Sequence, residues 1–86
     1  MTKRRKAAFQ LLADYKTMIM EDTANLEVTD RLAAAARRDV RRSALSSAAA
    51  AALLGALASQ RAHFDGRRAA LESYCQDLLV RIGESR

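Results

Sequence analysis

Eighty-six residues make one small domain, half of it apolar, with no proline and only three glycines. Aliphatic β-branched residues are limited to Ile19, Val28, Val40, Val80 and Ile82, too few to build strands. The abundant Ala, Leu and Arg each favour helix by a few tenths of a kcal/mol, so the class is all-α. A net charge of +5 and a pI near 10.1 favour acidic partners: nucleic acid, an anionic membrane surface or an acidic protein.

The first helix is predicted over about residues 3–23, where Ala8, Leu12, Tyr15 and Ile19 keep the i, i+4, i+7 rhythm and Phe9, Leu11 and Met18 widen the stripe. Its basic start does not read as a secretory signal, because Gln10, Asp14 and Lys16 interrupt the apolar run. Nor does any stretch reach the roughly 20 apolar residues that span a bilayer. A membrane-surface role for residues 3–20 is weakened by Tyr15 and Met18, which suit a core.

The segment EDTANLEVTD interrupts the pattern. Asn25, Thr29 and Asp30 are cap and turn formers, and Glu21, Asp22, Glu27 and Asp30 make this the acidic part of the chain. Residues 24–29 are therefore expected to connect two helices, with Thr29 as N-cap of the second.

The second helix is expected over about residues 30–62. One stripe runs Leu32, Ala36, Val40, Ser43, Ser47, Ala50, Leu54, Leu57; its neighbour, Ala44, Ala48, Ala51, Gly55, Ser59, Ala62, is all small. Small residues allow close helix approach, so this thin surface should accept the bulk of helix one. At residues 63–66, HFDG, the chain either continues or turns into a third helix over 67–82. Leu57, Phe64, Leu71 and Leu78 recur at sevens across the segment, and a turn would normally reset such a register. The expected architecture is thus a helical hairpin with a long, coiled-coil-like second helix, the alternative being a small three-helix bundle. Gly83 should stop the last helix.

No catalytic constellation is visible. His63 is the sole histidine and Cys75 the sole cysteine, so no metal set, triad or disulfide framework can be assembled. The glycines are scattered and form no phosphate loop. The expectation is a non-enzyme without cofactor, in the reducing setting of the cytoplasm.

Two features point to partners. First, Leu54, Leu57, Phe64, Leu71, Tyr74, Cys75, Leu78 and Ile82 form a seam that a helix one of about 20 residues cannot cover. A second protein chain should cover it, a second copy in a homodimer being the favoured case. The expected function is a helical interaction module: an adaptor, an oligomerisation element or a chaperone-like subunit. Arg61 and Arg68 fall on this seam, where charge is unwelcome. Second, Arg31, Arg37, Arg38, Arg41 and Arg42 form a basic patch. It offers phosphate contacts but lacks neighbouring aromatics or amides for base stacking or readout, which makes nucleic acid the second choice.

Overall fold

A computed structural model describes residues 2–84 of the chain. Two helices account for nearly all of them: α1 spans Lys3–Arg41 and α2 spans Ser47–Glu84, packed along one another. At 1.5 Å per residue, helices of this size are about 57–59 Å long, and the Cα extents are 62 × 14 × 13 Å. Each helix therefore runs the whole length of the rod. The hairpin expected from the sequence is present, and residues 63–66 lie within α2 without a turn, so the three-helix alternative is excluded.

The position of the turn differs from expectation. Residues 24–29 are helical, and the chain reverses at 42–46 instead. Three effects keep the acidic segment in the helix. Thr17, Thr23 and Thr29 turn their hydroxyls back to the carbonyls of Ala13, Ile19 and Asn25, so none of them competes for a cap. Ile19, Asp22, Leu26 and Thr29 alternate by three and four and face α2. Finally, the acidic residues meet arginines of α2, described below.

The actual turn uses no glycine. Ser43 takes the left-handed conformation, φ 59. Its N–H donates to the Val40 carbonyl, and the Ala44 N–H donates to that of Asp39, the paired bonds of a Schellman motif. Ser46 then caps α2, its hydroxyl accepting from the Ala49 N–H, as Thr2 caps α1 by accepting from Arg5. Gly83 is helical with ordinary φ and does not stop α2.

The seam on α1 is a strict three-four alternation from Arg5 through Ala8, Leu12, Tyr15, Ile19, Asp22, Leu26, Thr29, Ala33 and Ala36 to Val40, every member buried or half-buried. That is coiled-coil spacing. Bulk meets bulk at the open end, where Leu12, Cys75 and Leu78 form the core with Tyr15, Ile19 and Tyr74 packed on it. Tyr15 and Tyr74 meet edge to face, centroids 5.1 Å apart. Near the tip, thin meets thin: Ala36 and Ala50 are buried, while Ala48, Ala51, Gly55, Ser59 and Ala62 face solvent. The alanine-rich stretch is thus not a groove for helix one's large residues, because antiparallel pairing brings those residues to the other end of α2.

Candidate protein interface

The eight apolar residues assigned to a partner lie on the intramolecular seam. Leu57, Cys75, Leu78 and Ile82 are buried, and Leu54, Phe64, Leu71 and Tyr74 half-buried. The premise that helix one was too short fails, since α1 has 39 residues against 38 in α2. Leu12, Tyr15 and Ile19 cover its end at Tyr74, Cys75 and Leu78, and the continuation of α1 through the acidic segment to Arg41 lets that helix follow the rest of the seam.

The two charges that looked misplaced are explained by the same shift. Arg61 meets Asp30 at 2.9 Å, and Arg68 donates to the Thr23 hydroxyl at 3.3 Å. Between them Arg67 grips Asp22: Nε lies 3.0 Å from both carboxylate oxygens, and Nη2 also donates to Oδ1. Asp22 is fully buried. The hydrogen-bonding Arg67 guanidinium holds the Asp22 carboxyl below its ordinary pKa against the opposing effect of burial, aided by the fields of Arg67, His63 and Arg68. Arg61 and Arg67 are correspondingly held further in their charged form, each chiefly by the hydrogen bond to its aspartate.

These contacts give the rod two unlike flanks. On one side Asp30 and Thr23 of α1 meet Arg61 and Arg68, which also reach Asp65 and Glu72 of their own helix at 3.5–3.9 Å. Ion pairs line this flank, which also leaves Phe9 and Leu79 exposed. On the other, Arg4, Leu11, Met18, Asn25 and Leu32 recur at sevens along α1, and Leu53, Gln60, Arg67, Tyr74 and Arg81 at sevens along α2. A cleft at the open end joins these two series, with Arg4, Leu11, Tyr74 and Arg81 all in its wall. Leu11 is 38%, Leu53 43% and Leu32 52% exposed. This flank leaves Leu11, Leu32 and Leu53 exposed among Arg4, Asn25, Gln60, Arg67 and Arg81, and the Arg67–Asp22 pair lies along it.

The basic patch gathers at the tip. Arg31, Arg37, Arg38, Arg41 and Arg42 are all exposed, and none joins an ion pair among the described residues. Residues 47–60 of α2 carry no charge to neutralise them. Arg38 and Arg41, in the last turn of α1, complement the helix dipole.

No family model, curated protein or solved structure matches this chain. Among the described residues, no group of three or more His, Cys, Asp and Glu is placed to hold a metal ion, and no helix is long and apolar enough to cross a membrane. Cys75 is a buried free thiol packed against Leu12 and Leu78.

Proposed function

We propose that this hairpin is a non-catalytic helical interaction module, an adaptor or chaperone-like subunit of the cytoplasm, whose partner docks on the flank of Leu11, Met18, Leu32, Leu53 and Tyr74. The carrying observation is a line of leucines at heptad-related positions of one flank, Leu11, Leu32 and Leu53, that are 38%, 52% and 43% exposed. Fully burying a leucine is worth about 1.5–3 kcal/mol. Covering the exposed part of three such residues therefore adds roughly 2–4 kcal/mol to an association, enough to drive docking of a third helix. A third helix on this flank would complete a bundle in which Met18 and Tyr74 become core residues.

The test uses the full chain with a photoreactive residue at position 32 or 53, and Leu11→Asp as the disrupting variant. Defined crosslinks that disappear with Leu11→Asp, while the far-ultraviolet circular dichroism stays unchanged, support the reading. Crosslinks indifferent to that substitution overturn it.

The tip supports a second reading, contact with nucleic acid, on the observation that its five arginines are exposed and outside every described ion pair. Such contact is electrostatic and strongest at low salt. Titration of duplex and single-stranded nucleic acid at low ionic strength decides it, and absence of binding there removes it.

A further inference from the structure

The flank of Leu11, Leu32 and Leu53 is not uniform along its length. At the open end it deepens into a cleft of about 1090 Å³ with Leu11, Tyr74 and Ile82 on its floor and walls and Arg4, Arg5 and Arg81 around it. Lys3 and Lys6 add charge nearby. Arg5 is the telling member. It lies at a seam position, its guanidinium sits 5.8 Å from the Phe9 ring centroid, and its Nε is buried with no hydrogen-bond partner. A buried donor without an acceptor is costly, and Arg5 also lines the cleft, where its positive charge would favour an entering carboxylate.

We infer that this cleft receives an acidic amphipathic helix of a partner protein, with apolar residues on Leu11 and Tyr74 and carboxylates on Arg4 and Arg5. This rests on the interaction-module reading and specifies its partner's chemistry. Charge decides between occupants. A second copy would bring a net charge of +5 against the same charge. Both ends of the rod are basic, Lys3–Lys6 at one and Arg37–Arg42 at the other. Head-to-head and head-to-tail pairing over the full length therefore each oppose like charges, which is strongly disfavoured across an interface. Nucleic acid would use the arginines but leave the apolar floor empty, and a flat bilayer surface cannot enter a cleft. A helix with an apolar stripe flanked by glutamates uses every element, in the helix-in-groove mode. Residues 2–11 span about 15 Å, or nearly three helical turns, so about two turns of side chains on the incoming helix can engage.

The probe is a labelled synthetic helix of about 18 residues, leucines along one face and glutamates beside them, compared with a version carrying lysines in place of the glutamates. Anisotropy titrations on the full chain should show the glutamate peptide binding at least about tenfold tighter than the lysine peptide, and weakening with salt. The double variant Arg4→Glu/Arg5→Glu should lose about tenfold or more, and Leu11→Asp should abolish binding. Arg41→Glu at the tip should leave it unchanged. If the charge-reversed pair loses helicity, Arg4→Gln/Arg5→Gln takes its place with the same expected direction. Equal binding of the two peptides, indifference to the arginine changes, or a dimer in light scattering that Leu11→Asp dissociates would each overturn the inference. Crosslinks from positions 32 and 53 separate the two levels. If they persist while the glutamate peptide fails, only the acidic-partner inference falls; if they are absent as well, the module reading falls with it.

Discussion

Replacing Arg67 with methionine removes the guanidinium but keeps most of the stem, and so isolates the buried ion pair. Asp22 is 0% exposed and takes its side-chain hydrogen bonds from Arg67. Removing one partner of a fully buried pair costs about 3–5 kcal/mol, because the remaining charge stays desolvated and alone. The Arg67 side chain is 39% exposed, so solvent already screens the cation's side. The discounted cost is about 2–3 kcal/mol. At roughly 0.05–0.15 kcal/mol per residue, a chain of this size has about 4–13 kcal/mol in total, and the substitution removes a large share of it. One kcal/mol moves the midpoint by about 4–8 °C in small domains, so Arg67→Met should melt roughly 10–20 °C lower.

Asp22→Leu/Arg67→Met tests the same reasoning in the opposite direction. With both charges gone, no ion is stranded, and replacing a buried pair by apolar side chains is neutral or stabilising. Urea unfolding of the four members of the cycle, followed by circular dichroism, should give a coupling of about 2 kcal/mol. Loss of under about 0.5 kcal/mol in Arg67→Met, the level of an exposed pair, would refute the assignment of this contact as buried and structural.

The same pair sets part of the acid response. Because Asp22 titrates below its ordinary value of 3.8, its contribution is complete above the unfolded value and is lost as pH falls through the lower folded one. Acid titration should therefore show the wild type losing stability below about pH 4 more steeply than Asp22→Leu/Arg67→Met. Gly55 and Gly66 sit in mid-helix with nothing within 4 Å of an added Cβ, so Gly55→Ala and Gly66→Ala should each stabilise by up to about 1 kcal/mol in denaturant unfolding; a loss at either site would contradict a straight α2. Ser43 holds a left-handed conformation that costs a non-glycine residue about 1–2 kcal/mol. After allowing for the greater freedom of an unfolded glycine, Ser43→Gly should gain roughly 0.5–1 kcal/mol, and destabilisation would show that the turn depends on the serine side chain.

The helical class and the register of α2 were legible because both rest on periodicity. Leu57, Phe64, Leu71 and Leu78 keep their spacing across HFDG, and the helix does run through. The turn was not legible. Gly, Pro and Asn usually mark reversals, and here the reversal falls on Ser43–Ser46 while Asn25 lies in mid-helix. A signal was nevertheless available. The three-four alternation from Leu12 to Val40 continues unbroken through EDTANLEVTD, its one acidic member is Asp22, and Arg61, Arg67 and Arg68 form a cluster of cations on the facing stretch downstream. Pairing the acidic segment with that arginine cluster would have put the turn midway between them, near residue 44. The candidate surface followed the turn. Once α1 is long, the seam from Leu54 to Ile82 becomes core, and the exposed stripe moves to Leu11, Leu32 and Leu53, positions one step outside the alternation whose exposure depends on how two helices face each other.

The polar middle also answers why an alanine-thin hairpin keeps one register. A seam that repeats every seven residues looks nearly the same after a slip of one heptad, and the tip offers little resistance: Ala36 and Ala50 are the only buried residues among 30–56, and the turn holds Ser43 against its preference. A one-heptad slip moves α2 by about 10 Å. That would carry Arg67 out of reach of Asp22 and leave a carboxylate buried without a partner, at several kcal/mol. Arg61 would leave Asp30 in the same movement, and Tyr74 would leave Tyr15. The penalty is concentrated on Asp22, since Arg61 and Asp30 are exposed enough to re-solvate. Asp22→Leu/Arg67→Met should accordingly regain stability while losing uniqueness. Amide NMR spectra of that variant should show doubled resonances along α2, concentrated in residues 50–60 where small side chains tolerate either register, and single resonances in Arg67→Lys, which keeps a cation for Asp22. A single, sharp set of resonances in the double variant would show that the aromatic and leucine packing at the open end fixes the register without the ion pair.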